Sequence, residues 1–322
     1  MATARQFHTS TLLMDGSVLV VGGSNGITDL SSVERYDPNA DVWRTVASLH
    51  AARCHHSATR LTSGCVLVAG GFNGTALGST ELFDPTQNRW HTAHAMYHAH
   101  GLHSATLLRD GRVLLVASGG AELYDPNTDS WMPLSHTGRD YQSATLLHDG
   151  QVLHVGGSGI SGQTRASAAV TRFDPATHLF QQAAELPRPR ERHTATLLAN
   201  GHVLIAAGDD GSSDYLTDTI CFDPVVNAWR RVSQLRAGRE YCTATLLAHG
   251  GTLLAGGDGS GGHLASTERF DSATNRWQPA AAMLEARYLH SATELADGRM
   301  LVAGGAGRHA ALASAEIFSL TA

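Results

Sequence analysis

Short apolar runs recur along the chain, each bounded by a polar turn on one side and a glycine pair on the other. Val18-Leu19-Val20-Val21, Val66-Leu67-Val68-Ala69 and Leu301-Val302-Ala303 are three of them. Runs of this length between turn residues read as buried strands. Before each lies a strand of small and hydroxyl residues that opens at His8, His56, His103, Gln142, His193, Cys242 or His290. Those openings are 48, 47, 39, 51, 49 and 48 residues apart, so the pattern is one unit in seven copies. Seven residues after each opening comes a turn pair such as Asp15-Gly16, Asp110-Gly111 or Asn200-Gly201. Asp-Gly and Asn-Gly predict a tight hairpin with positive φ at both central residues. The second strand ends in Gly22-Gly23, Gly70-Gly71, Gly156-Gly157, Gly256-Gly257, Gly304-Gly305 or a remnant of that pair. A third strand ends in an aromatic residue (Tyr36, Phe83, Tyr124, Phe173, Phe222, Phe270, Phe318). A fourth opens with Trp43, Trp90, Trp131, Phe180, Trp229 or Trp277.

Each unit is thus four short antiparallel strands. One such sheet cannot bury both of its faces, whereas radial stacking of the copies does. A period near 50 with glycine pairs and a distal Trp resembles the kelch-repeat family, and no Trp-Asp pair points elsewhere. The resemblance runs through the whole chain. It implies an all-β, seven-bladed kelch-type propeller occupying 1–322 as a single domain. The blades fall at approximately 5–49, 50–96, 97–135, 136–186, 187–235, 236–283 and 284–322. The last blade is expected to lack its outer strand, because no aromatic precedes His8 at the usual distance and the third strand at Phe318 is followed by only four residues. Residues upstream of Met1 or another chain would have to complete it.

Some units depart from the pattern. The third passes from Ala117-Ser118-Gly119-Gly120 to Glu122 almost at once, which leaves a notch in one rim. The fourth has a long Gly/Ser/Ala loop from Ser158 to Ala169, read as mobile. In the fifth, Gly208 is followed by Asp209-Asp210, read as loss of the second glycine, with Asp214 further on; the sixth has Asp258. These acids share a rim and define one candidate surface, for a cationic partner.

Net charge is −6, which gives no basic footprint for nucleic acid. No apolar run is long enough to span a membrane, and the N-terminus has no apolar signal region, so a cytoplasmic location is expected. Four cysteines form no spaced framework; Cys65 and Cys221 are expected to be buried, and a Cys54–Cys242 disulfide is not expected.

The repeated His positions suggest a metal, but every copy stands before small inner-strand residues. A hydrogen-bonding role between blades explains them better. With no His-x-x-x-His or Cys-x-x-Cys spacing, neither a metal site nor a cofactor is expected. Three residues before each opening stands Arg5, Arg53, His100, Arg139, Arg190, Arg239 or Arg287. In a propeller these loops ring one mouth of the central channel, and a guanidinium fork suits a carboxylate or phosphate. Between Arg and His lie variable residues, with Tyr141, Tyr241, Phe7 and Tyr288 among them. The expected ligand-binding set is Arg53, His55, Arg139, Tyr141, Arg190, Arg192, Arg239, Tyr241 and Cys242, taking a small ligand with an anionic and an aromatic part, or a protein partner. The alternative is an enzyme using Glu191, Glu240, Asp140, Tyr141, Tyr241 or His55 in acid–base chemistry of isomerase, cyclase or lyase type. The kelch resemblance brings to mind protein-binding propellers and also enzymes: a copper-radical sugar oxidase, a sialic-acid epimerase and iron-dependent specifier proteins. The oxidase would imply a Tyr-Cys cross-link and an added C-terminal domain, and the specifiers a Glu-x-x-x-Asp-x-x-x-His stretch; neither is expected here. Self-association through the open edge of blade seven is a further expectation.

Overall fold

The turn that starts each blade is wider than the Asp-Gly pairs suggest. In the first, Gly16 N–H donates to the Leu13 carbonyl (3.1 Å) and Leu13 N–H to the Ser17 carbonyl (2.8 Å). Only Gly16, at φ 82°, is left-handed, while Asp15 stays at negative φ and accepts from the Ser17 N–H and hydroxyl. This is a type I turn closed by a glycine bulge, not the two-residue turn with two positive φ values.

The computed structural model describes residues 1–159, 165–212, 215–247 and 250–319. Among them there are strands and no helix, and no helix is long and apolar enough to cross a membrane. Seven antiparallel sheets follow in chain order, each with its strands adjacent in sequence, apart from small hairpins inserted in blades two and six. The first comprises Thr9–Leu12, Val18–Val21, Val33–Asp37 and Val42–Val46. The seventh comprises Ser291–Glu294, Met300–Ala303 and Ala315–Phe318, three strands among the described residues. The architecture is that of a seven-bladed propeller. Two compact units divide the chain: Met1–Thr137 with Leu289–Ala322, holding blades seven, one, two and three, and Gly138–Tyr288, holding blades four to six.

The second strand of every blade is fully buried, as its uninterrupted apolar run requires. The third- and fourth-strand aromatics are direct cross-strand partners. Phe83 faces Trp90 with ring centroids 4.9 Å apart, and Phe222 faces Trp229 at 4.8 Å. The indole N–H then reaches the preceding blade: Trp90 donates to the Ala47 carbonyl and Trp229 to the Ala184 carbonyl.

The strand-opening histidines also join neighbouring blades. In the first unit His8 Nε2 meets the Ser291 hydroxyl at 2.8 Å, His56 the Thr9 hydroxyl at 3.0 Å and His103 the Ser57 hydroxyl at 2.9 Å. In the second, His193 meets the Ser143 hydroxyl at 2.8 Å. The glycine pair makes room for this. A Cβ on Gly22 would lie 2.6 Å from the Arg53 carbonyl and 3.0 Å from His56 Cε1, both in the next blade. In blade five it is the first glycine that is replaced, by Ala207 at φ 64°; the second survives as Gly208. Cys221 is buried as expected, whereas Cys65 is only half-buried because it follows the exposed turn; all four cysteines are free. Blade three turns from its second to its third strand through Ser118-Gly119 alone. Of the long blade-four loop, residues 160–164 lie outside the described residues, as does Asp214 of blade five.

Candidate functional site

The repeated arginines turn into the blades. Arg53 is fully buried, and all five of its N–H donors are engaged. Nε bonds the Ala51 carbonyl, Nη1 the carbonyls of Gly70 and Ser79, and Nη2 the Ser79 hydroxyl and Glu81 Oε1 at 2.9 Å. Arg239 repeats this with Ala237, Gly256, Ser266 and Glu268. Neither has a donor left for a ligand. Arg139 binds the Gly156 and Ala169 carbonyls, and Arg190 the Asp218 carboxylate at 2.6 Å. These four of the nine sequence-derived ligand residues brace their own blades. Burial lowers the pKa of Arg53, Arg139 and Arg190.

The residue just before each strand opening is left-handed: Phe7, His55, Leu102, Tyr141, Arg192, Tyr241 and Leu289 have φ between 50° and 56°. Six of them are linked within their own units by backbone bonds. Phe7 N–H donates to the Leu289 carbonyl and His55 N–H to the Phe7 carbonyl; Arg192 N–H donates to the Tyr141 carbonyl and Tyr241 N–H to the Arg192 carbonyl. Such φ values are unfavourable for side-chain-bearing residues and hold only where the surroundings fix them.

In the first unit this row brings His55 onto Phe7, ring centroids 3.7 Å apart, with Phe72 edge-on at 6.1 Å. Burial pushes the His55 imidazole down to about 4, so it is neutral near pH 7 and offers an anion no charge. Cys54 and Cys242 are thiols raised to about 12, by burial first, and are not nucleophiles.

The second unit gathers more. Arg192 lies between two tyrosines, its guanidinium carbon 4.9 Å from the Tyr141 ring centre and 5.1 Å from that of Tyr241. It pairs with Glu240 at 3.1 Å and Glu191 at 3.4 Å. Burial works against its charge, but Tyr241, Glu191 and Glu240 outweigh that and hold it firmly protonated. Tyr241 shares a hydrogen bond with Tyr141, and burial together with that bond raises its phenol.

The loops after the second strands lie on this same rim. Glu191 and Asp209 exchange backbone bonds of 2.9 and 3.1 Å, and Glu240 and Asp258 exchange two of 2.9 Å. The two surfaces that the sequence suggested as rivals, arginine-bearing loops and acidic loops, are therefore one surface within this unit. Tyr215 donates to Asp258 Oδ2 at 2.9 Å, and His263 Nδ1 lies 2.8 Å from Asp258 Oδ1 while stacking on Tyr288 at 4.4 Å. Burial and the Asp258 bond raise the Tyr215 phenol to about 12. Burial raises the Glu240 carboxyl; Arg192 opposes this, and Asp209 and Asp258 add to it. Glu191 is 4% exposed, and its Oε2 has no hydrogen-bond partner. Asp140 belongs to the same rim through its backbone pairing with Ser158. Tyr215 and His263 were not foreseen, since both come from loops outside the repeating pattern.

The Kelch motif model matches residues 7–50, 53–96 and 192–236. An F-box/kelch-repeat protein of Arabidopsis thaliana is 41% identical over 54 residues, 17% of this chain and 14% of that protein. A solved fungal alcohol oxidase of the AA5 family, in complex with copper, superposes with a TM-score of 0.79 at 16% identity, over 94% of this chain and 70% of its own, which is a likeness of fold. The chain thus carries three Kelch motif matches within a fold of seven repeating antiparallel sheets.

Proposed function

We propose that this chain is a binding propeller whose second unit receives a cationic, N–H-rich group, a lysine or arginine side chain of a protein partner, at Glu191 and Glu240 beside Tyr141 and Tyr241. The observation that carries this reading is Glu191 Oε2, a buried carboxylate oxygen with no partner, on a rim that also carries Asp140, Asp209, Glu240 and Asp258. Such an atom costs about 1–3 kcal/mol while unsatisfied, and more when charged, so a donor arriving there gains that back. The tyrosine faces suit a cation as well. The anionic ligand suggested by the arginine pattern lacks its anchors, because those guanidinia are engaged inside the blades.

Calorimetric titration with short lysine- or arginine-bearing peptides, against acidic peptides of equal length, tests this. Basic peptides should bind with a strong salt dependence, and the E191Q/E240Q double variant should lose at least about tenfold, equal to ~1.4 kcal/mol. Preference for acidic peptides, or no change in the variant, would overturn it. A second reading, acid–base catalysis at the same cluster, draws on Glu240, whose carboxyl is raised by burial toward the range of a general acid. Turnover of a small substrate that E240Q abolishes would favour it.

A further inference from the structure

Blade three breaks a frame that three other blades keep. In blades one, two and six a buried carboxylate on the third strand is neutralised by the buried arginine: Glu34 by Arg5, Glu81 by Arg53 and Glu268 by Arg239, at 2.9–3.0 Å. Blade three keeps the carboxylate, Glu122, with no exposed surface. The arginine is replaced by His100, whose Nε2 lies 3.1 Å from Glu122 Oε1. Two residues earlier His98 places Nδ1 3.5 Å from the same oxygen. Two imidazole nitrogens thus stand against Glu122 Oε1 where blades one, two and six set a guanidinium.

We infer that His98, His100 and Glu122 form a divalent transition-metal site, with zinc the best-matched ion. One ligand atom from each of the three residues lies within 4.8 Å of the others. Tetrahedral zinc with bonds of about 2.0–2.1 Å has ligand–ligand edges of about 3.3–3.5 Å, and the two distances to Glu122 bracket that. His98, more than half exposed, has the freedom to close the third edge. Two imidazoles and one carboxylate suit zinc, cobalt or nickel rather than calcium or magnesium. The missing loop of blade three is part of the site. The Ser118-Gly119 turn lies directly over the imidazole, since a Cβ on Gly119 would come within 3.3 Å of His100 Nδ1. Three protein ligands leave a fourth position for water or an external donor on the exposed side of His98. No sequence spacing marks this set, because His98-Ala99-His100 is completed by Glu122 on another strand.

Cobalt(II) titration of tag-free protein, followed by visible absorption and zinc competition, tests the site. The wild type should bind one equivalent in a site of low coordination number that zinc displaces, and zinc should raise the melting temperature. H98A changes an exposed side chain. H100R restores the Arg–Glu strut of blades one, two and six, so both variants should keep the fold. Each should lose more than the ~10–100-fold affinity typical of a lost supporting contact. Absence of saturable binding, or equal binding by wild type, H98A and H100R, would overturn the inference.

Discussion

Ala207 and Cys242 depart from the repeat together: each is the smaller-for-larger or larger-for-smaller exchange that the other permits. At Gly22, Gly70, Gly156 and Gly304 a Cβ on the first glycine would lie 2.7–3.0 Å from the histidine Cε1 of the next blade. At Ala207 that Cβ is present, and the next blade supplies Cys242, which packs with the same apolar cluster. Cys242→His should therefore destabilise the protein by about 1–3 kcal/mol through overpacking. Adding Ala207→Gly should recover most of that loss. Urea melts of the two single variants and the double variant measure the coupling; additive losses would show the two positions to be independent.

Arg239→Ala should cost about 3–5 kcal/mol, because it leaves Glu268 buried without its partner. Peptide binding, measured below the melting range, should be unchanged. Arg239→Lys keeps the charge but not five donors in a fork, and should fall between. A variant that stays stable but loses binding would return the arginines to the ligand.

Acid should unfold this protein partly through its inner strands. Burial lowers His8, His103 and His193 to about 3, and His56 well below its ordinary value. A histidine ordinarily titrates near 6.5, so the unfolded chain binds these protons first as pH falls. Their contribution is complete above about pH 6.5 and declines from there down to about 3, approaching 1.4 kcal/mol per pH unit for each group. Denaturant midpoints at pH 7, 6, 5 and 4.5 should follow that course. His193→Gln, copying Gln142 of the preceding blade, should reduce the slope by about one proton's worth.

Arg192→Gln should sharpen the site's preference for cations. It removes the guanidinium that faces Glu191 and Glu240 and the two tyrosine contacts, at a stability cost of about 1–2 kcal/mol. Affinity for a basic peptide should rise at pH 7, and the Glu240 carboxyl should titrate higher still. Weaker binding by this variant would mean that Arg192 itself contacts the ligand.

The sequence carried the strands well because their determinants are local. Val18–Val21 is an unbroken apolar run, and the Tyr36/Trp43 pair marks the register of the outer hairpin. Side-chain direction was not legible in the same way. Arg53 and Arg192 are one residue type in nearby positions of the unit, yet one enters the blade and the other lies among tyrosines. What separates them is the left-handed backbone at position 192 and the partner Glu81 on a distant strand, neither of which spacing reveals. Likewise Tyr215 and His263 come from loops that follow no pattern, and only folding brings them to Asp258.

The left-handed residues of the rim have a consequence for how this surface changes over time. Phe7, His55, Leu102, Tyr141, Arg192, Tyr241 and Leu289 differ in size, charge and aromaticity, yet share one backbone conformation. Their joining bonds run from main-chain N–H to main-chain carbonyl. Each left-handed residue bears a strain of about 1 kcal/mol that does not depend strongly on which side chain it carries. Within each unit the row thus behaves as a set of sockets: the blades set the position, and the inserted side chain is exchangeable. A new specificity needs a handful of substitutions at these places and no rebuilding of the sheets beneath them.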